Sequence, residues 1–291
     1  MDMETRTEIV LPLRVGASTD NESIAEALAT AMGRDLAPGA SVRVDVDGPR
    51  GALTAGVGAS ISLRFAGVEA RAVPLPGVTL PGPGGVEGRL ELLRLQLHEL
   101  RLPEGALDFV ELCFPDAGYW LSVEGDCTYL RLVSMPGGTA RAVLSAAAIC
   151  RLVAARAPTI SEPEVRLAEG GWVEATGGIR LGVFPARARL RGRVVARGGS
   201  TLCLEDLELS AGSLSLPAPL ARSVEAAVNP LVDLSRDVPL PFDVHVTQVT
   251  TEDGSLRLDA RVSPRLTGGA AVDGPEGLAT MEVPEPEPEK D

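Results

Sequence analysis

Residues able to do chemistry are few in this chain, and they are scattered. The two histidines, His98 and His245, are the natural candidates for general bases, because imidazole titrates near neutrality without help. Both fall in segments that alternate apolar and polar residues, and each shares parity with polar neighbours: His98 with Gln96 and Arg94, His245 with Asp243 and Thr247. That parity favours a solvated strand face over a base or ligand role. Cys113, Cys127, Cys150 and Cys203 form no C-x-x-C pair and have no histidine at ligand spacing, so four reduced, buried thiols and no metal are expected. The adjacent carboxylates Glu205 with Asp206 and Glu252 with Asp253 lie in strands and turns, which points them to opposite faces or into solvent. Nucleophile-elbow, zincin, P-loop and complete dinucleotide-binding signatures do not occur. Gly82, Gly84, Gly85 and Gly88 are interrupted by prolines and followed by a strand pattern, which makes a poor phosphate cradle. The reading is non-enzymatic, with no catalytic residue and no cofactor.

The strongest chemical pattern is cationic. In residues 184–197, Arg187, Arg189, Arg191 and Arg193 take every second position, while Ala186, Ala188, Leu190, Gly192 and Val194 take the others. Period two puts four guanidiniums on one strand face, where they could grip the phosphates of an anionic lipid headgroup or a membrane surface by forked hydrogen bonds. The alternative is a solvated outer face balanced by Glu164, Glu174, Glu205 or Glu208 on neighbouring strands.

The elements that would position these groups are mostly strands. Period-two alternation runs through residues 41–47, 89–102, 108–114, 118–133, 164–168 and 201–209. The clearest hairpin sets Phe242, Val244 and Val246 against Leu256, Leu258, Ala260 and Val262 across an Asp253-Gly254 turn. Three segments have helical spacing. Thr19 with Glu22 reads as a capping box opening a helix with Ile24, Ala27, Leu28, Ala31 and Met32 on one face, stopped by Gly33. Ser145 caps a second, with Ile149, Leu152 and Val153 together. A third starts at Pro217 or Pro219 and presents Leu220, Val224, Ala227, Val228 and Leu231, with Pro230 ending or kinking it. Each helix precedes alternating strands, a threefold order that suggests one long sheet with helices on its concave face. The fold class expected is therefore α+β: a long, strongly curved antiparallel sheet wrapped around three amphipathic helices.

Composition narrows the ligand chemistry. The chain is 45% hydrophobic but only 3% aromatic, so any core or cavity is aliphatic and suits lipid tails better than ring-shaped cofactors. A net charge of -13 argues against nucleic acid as a partner. The charge is uneven, with ten Arg against four Glu between residues 140 and 200 and seven acidic residues against one Lys after residue 272. Arg occurs 26 times and Lys only once, at Lys290, which is read as the codon bias of a GC-rich bacterial genome and carries no mechanism. Residues 1–20 form an N-terminal segment or first strand, 21–266 a helix–strand domain, and 267–291 a disordered acidic Pro/Glu tail; the Pro/Gly loop at 74–88 is a candidate sub-boundary. No stretch approaches the roughly 18 apolar residues of a membrane span, and residues 1–20 lack a signal-peptide pattern, so a cytoplasmic location with peripheral membrane association is expected.

The last fifty or so residues of that domain carry a family likeness. Leu214-Ser215-Leu216-Pro217-Ala218-Pro219-Leu220, Asn229-Pro230-Leu231-Val232-Asp233-Leu234-Ser235, Leu240-Pro241-Phe242 and the strands around Asp253-Gly254 resemble the C-terminal signature of the LmeA-like phospholipid-binding family. Gly137-Gly138 with residues 140–149 resembles the family's strand leading into its central helix, and residues 88–102 resemble an earlier strand. The resemblance implies a fold similar to tubular lipid-binding domains, and binding of phospholipid in a bacterial envelope setting, in transfer or envelope maintenance. Exported relatives begin with a signal or anchor that residues 1–20 do not match.

Two readings follow. In the first, phospholipid or another acyl-chain ligand lies in an aliphatic groove lined by Ile24, Leu28, Ile149, Leu152, Leu220, Val224, Val228, Leu231, Phe242, Val244 and Val246. In the second, those faces fill a core, and the chain is a structural or protein-interaction scaffold with an acidic docking tail.

Overall fold

Alternating segments make strands, and the protein is correspondingly mostly β. The structure, a computed structural model, describes residues 8–74, 77–82, 84–156, 160–181, 184–211, 214–215, 225–226, 228–237 and 242–264. The proposed tail at 267–291 and most of the third helix, with Leu220 and Val224, lie outside the described residues.

The centre is a ladder between two long strands, β4 (Val86–Leu102) and β5 (Gly105–Glu124), joined by a tight turn at Pro103 and Glu104. The far edge of β5 is shared. Its residues 109–113 pair with β7 (Gly138–Ser145), and its residues 118–124 pair with β6 (Cys127–Ser134). The alternation read as a single run over 118–133 is thus a hairpin, turned by Gly125 at φ 60°. Beyond β4 lie β3 (Ala59–Ala66), which is parallel to it, and β2 (Ser41–Asp47), while β1 (Ile9–Leu11) adds to β6. The Pro/Gly loop at 74–88 carries the chain between the parallel neighbours β3 and β4. On the other side, β15 (Ser255–Pro264) pairs with β7 and with β14 (Phe242–Glu252). Their turn has Asp253 at φ 49° and Gly254 at φ 70°, the doubly left-handed geometry that Asp-Gly favours.

A second antiparallel sheet holds β8 (Ser161–Ala168), β9 (Trp172–Leu181), β10 (Phe184–Arg197), β11 (Thr201–Ala211) and β12 (Leu214–Ser215), with β13 (Val232–Asp233) also on β11. Among the described residues there are therefore two sheets, of nine and six strands, rather than one long sheet. Bulges at Val246/Gln248 and Arg191/Arg193 add twist to each.

Helices are few. α1 (Asn21–Gly33) and α3 (Ala146–Arg156) match the two described helix expectations, while α2 (Ala52–Ala55) and α4 (Leu234–Asp237) are single turns. Of the third expected helix, residues 225, 226 and 228–231 are described; 225, 226 and 228 are helical and 229–231 are not. Among the described residues the protein is mostly β, with a curled antiparallel sheet and few helices; the wrapping around three amphipathic helices falls partly outside the described residues. The cap of α1 also differs from expectation. Asp20 accepts the Ser23 amide at 2.8 Å, and Thr19 instead accepts the Gly16 amide at 2.9 Å, because an aspartate one residue later reaches the free helix N–H groups better. Ser145 caps α3 as read, accepting the Ala148 amide at 3.2 Å.

The sheets meet around α3 and β14. The Val246 amide donates to Gly199 in the β10–β11 turn at 2.6 Å, and Gly171 donates to Thr251 at 3.2 Å. α1 lays its stripe across the open face of the nine-stranded sheet, burying Ile24, Ala27, Leu28, Ala31 and Met32. Tyr119 on β5 is fully buried beneath it and donates its phenol hydrogen to the Leu53 carbonyl at 2.7 Å. Gly88 is obligatory beside it, since a Cβ there would sit 2.4 Å from the Tyr119 ring.

Two expectations follow from this packing. Burial pushes the Tyr119 phenol from its ordinary 10.0 up to about 12. The folded value lies above the unfolded one, so the stability it contributes is intact below pH 10 and is lost as pH rises toward 12, roughly 2–3 kcal/mol in all. Tyr119→Phe should cost about 1–3 kcal/mol at neutral pH by orphaning the Leu53 carbonyl, and should flatten that alkaline loss; urea unfolding at neutral and alkaline pH measures both. Leu28→Ala and Leu152→Ala, each at 1% exposed positions, should each cost about 2–5 kcal/mol in the same assay, where truncation at an open groove wall would cost far less.

Candidate functional site

The residues proposed from sequence to line a groove divide between two places. Ile24 and Leu28 belong to α1 and face β3, β4, β5 and β6. There a cavity of about 30 Å³ is bounded by Ile9, Leu28, Ile61, Leu63, Leu90, Leu93, Tyr119, Leu130 and Leu132. Its wall is aliphatic apart from Tyr119, whose one polar atom is already satisfied by Leu53. Strand alternation puts these leucines and isoleucines on one face because every second residue of β3, β4 and β6 points inward. A larger cleft of about 200 Å³ adjoins it, bounded by Glu8, Ile9, Val10, Ala31, Met32, Arg34 and Pro74. Ile9 belongs to both walls.

Ile149, Leu152, Val228, Leu231 and Phe242 gather instead where the two sheets meet, all buried. Leu152 and Leu231 border a second space of about 30 Å³ with Leu102, Pro103, Val232 and the charged Glu104, Arg156 and Asp237. Arg156 pairs with Glu104 and lies 3.7 Å from Asp237. Burial opposes ionisation of Asp237, but the Arg236 side chain, the Asp233 amide and the charges of Arg236 and Arg156 outweigh it and hold the carboxyl below its usual range. The stretch around Asn229 docks on β11, not on the final hairpin: the Asn229 amide group accepts from Leu204 at 2.7 Å and donates back to it at 2.8 Å. Phe242 meets Phe114 with ring centroids 5.0 Å apart; Val246 is buried and Val244 half-buried. The proposed lining residues therefore do not form one continuous wall, and Leu220 and Val224 lie outside the described residues.

Sequence reading missed most of the cavity wall: Ile9, Ile61, Leu63, Leu90, Leu93, Tyr119, Leu130 and Leu132. The signal was present as strand parity, but parity does not say which strands share a face with α1.

Arg187, Arg189, Arg191 and Arg193 occupy one exposed face of β10, as period two requires, while Ala188, Leu190 and Val194 are buried on the other. Carboxylates face each of them. Arg187 lies 3.3 Å from Glu164, Arg189 2.5 Å from Glu174, Arg191 3.7 Å from Glu208 and Arg193 3.5 Å from Asp206. Arg191 also covers the Trp172 ring at 4.5 Å. The hydrogen bond and charge of Glu174 raise the Arg189 pKa further, so it stays charged at any working pH. A lipid phosphate at this face competes with four anions already in place.

His98 on β4 is exposed and packs against Phe109, ring centroids 5.0 Å apart; His245 is exposed on β14 against the Gly199 backbone. Of the four thiols only Cys203 is buried, and burial raises its pKa. Cys113, Cys127 and Cys150 are half-buried, a correction to the expectation of four buried thiols, because each sits at an element edge or outward-facing position. Glu205, Asp206 and Glu252 pair with Arg197, Arg193 and Arg257. Among the described residues no three His, Cys, Asp or Glu side chains gather to hold a metal ion, and no helix is long and apolar enough to cross a membrane.

Comparison with known proteins gives one positive result. No curated protein and no solved structure matches the chain. Residues 74–261, well over half of the 291, match the family described as LmeA-like phospholipid-binding. That span takes in the central β4–β5 ladder, the second sheet and most of the final hairpin, and it places the chain in the LmeA-like phospholipid-binding family.

Proposed function

We propose that the protein binds phospholipid without catalysis, taking acyl chain into the aliphatic interior between α1 and the curled sheet. The observation that carries this is the wall of that interior: eight aliphatic side chains and one satisfied tyrosine, on a scaffold whose family is phospholipid-binding. Such a surface offers an acyl chain burial at roughly 25 cal/mol per Å² and offers polar ligands nothing to bond. An interior space of about 30 Å³ is well below the roughly 300–1,000 Å³ of ligand sites, so the bound state requires α1 and the sheet to part. The same small volume supports a second reading, an interaction scaffold with a filled core.

Lipid extraction of the gently purified protein followed by mass spectrometry separates the two. Stoichiometric phospholipid is expected, and only background lipid would leave the scaffold. Leu93→Trp fills the space beneath α1 and should lower the recovered lipid severalfold, at a stability cost of about 1–3 kcal/mol that thermal unfolding reports independently.

The arginine face of β10 is the proposed contact with an anionic membrane surface. Changing Arg189 and Arg191 to Glu together should weaken cosedimentation with phosphatidylglycerol vesicles at low salt and leave the far-UV spectrum unchanged. Undiminished cosedimentation removes that role from the face.

A further inference from the structure

We propose that β1 is a displaceable strap over the lipid site, and that the cleft between β1, the C-terminal end of α1 and Pro74 is the mouth through which a phospholipid inserts one acyl chain, its phosphate resting at Arg34. This rests on the lipid-binding reading above and adds to it a location, a moving part and a headgroup contact.

Four observations converge on this end of the molecule. Ile9 is the partition: it lines both the buried aliphatic cavity and the open cleft, so displacing this half-buried side chain joins the two spaces. The strand that carries it is short and, among the described residues, paired on one side only, with three residues in register against Leu130, Tyr129 and Thr128 of β6. A three-residue edge strand is among the cheapest elements of a fold to open locally. Its outer end is pinned by a largely shielded ion pair, since the Glu8 carboxylate accepts from Nε and Nη2 of Arg131, both at 2.8 Å. Arg131 is itself steadied over the Trp120 ring at 5.1 Å. Its inner end is anchored by Leu11, which is fully buried, so the strand can swing from that point while the rest of the sheet stays in place.

Polarity at the mouth fits an anionic lipid better than an uncharged chain or a soluble anion, and the family of the chain favours a phospholipid among such lipids. Arg34 follows the last turn of α1 and lines the cleft, exposed, and no carboxylate engages it among the described residues. The other charged side chain there, Glu8, is neutralised by Arg131. The cleft thus presents one uncompensated cation at its rim and Ile9, Val10, Ala31 and Met32 deeper in, the order of a phosphate followed by a hydrocarbon chain. Residues 8–34 fall outside the span that matches the family, so the strap and its cation belong to the part of this chain that the family match does not describe.

The test is a reversible tether. Val10 and Tyr129 are direct cross-strand partners, and Val10→Cys with Tyr129→Cys, in a Cys127→Ser background that removes the nearest competing thiol, closes the strap when oxidised. Uptake of pyrene-labelled phosphatidylglycerol from phosphatidylcholine vesicles is followed by fluorescence in both redox states. Oxidation should slow uptake by about tenfold or more, as removal of the open state demands, and reduction should restore it. Equal rates in the two states overturn the strap while lipid binding stands; no uptake in either state, nor by the unaltered chain, removes the lipid reading and the strap together. Glu8→Gln should speed uptake about two- to fivefold by releasing the pin, and an unchanged rate counts against the latch. Arg34→Glu should abolish preference for phosphatidylglycerol over phosphatidylcholine, and a retained preference overturns the headgroup contact. Inorganic phosphate alone should not compete. If it does, the cleft takes a free anion and the acyl-chain occupant is wrong.

Discussion

Everything in this protein hangs on the ladder between β4 and β5. Those two strands, 17 and 20 residues long, are joined by a tight turn, so their pairing closes with little loop entropy and sets the register of the whole nine-stranded sheet. β5 then divides its free edge between β6 and β7. The sheet is curled, and its inner face is apolar. α1 covers that face from one end, and α3, with the second sheet, covers the other. The apolar spaces described above lie under these two covers.

The interior that results is closed and aliphatic, a combination with a direct bearing on function. An aliphatic wall discriminates poorly between ligands that differ in polar decoration and discriminates strongly against anything polar. In the proposed lipid-binding role, selection of a lipid class falls to the rim. Few charged groups stand at the rim beside α1, and the geometry there is asymmetric: Glu8 is consumed by Arg131, while Arg34 faces the cleft alone among the described residues. The cover at this end is also the weakest part of the sheet, being three residues of edge strand, whereas the cover at the other end is reinforced by Arg156 with Glu104 and Asp237 and by the Asn229 clasp on Leu204.

The second sheet solves a different problem. Four arginines side by side on one strand repel each other and invite any anion. Glu174, Glu208 and Asp206 on the strands flanking β10, with Glu164 on β8 beyond β9, answer them one by one, and Arg191 covers the Trp172 ring. Exposed pairs of this kind contribute little stability individually, but together they convert a cationic stripe into a mixed-charge surface. The residues that look most reactive in the sequence are thereby the most fully balanced in space, while a lone arginine after α1 carries the open charge.

Much of the fold was legible from local pattern. Period-two alternation marked β2, β10 and the final hairpin at their observed bounds or nearly so. The Asp253-Gly254 turn, the Ser145 cap and the burial of Ile24, Leu28, Ile149 and Leu152 also follow from spacing, because side-chain direction in strands and helices is set by backbone geometry within a few residues. What spacing could not supply was partnership. The run at 118–133 conceals a turn because Glu124, Gly125 and Asp126 interrupt the alternation too briefly to break it. The apparent helix-then-strands order predicted one sheet, whereas pairing energies between distant segments divide the strands into two. Most of all, the cavity wall draws one or two residues from each of five separate strands and one helix, and only tertiary packing determines which inward faces meet. The amino-acid sequence by itself determined an aliphatic, strand-rich, catalytically sparse chain. That Ile9 borders both an aliphatic cavity and a cleft, and that its neighbour Glu8 pairs with Arg131, was decided by long-range contacts across more than a hundred residues, which no local periodicity encodes.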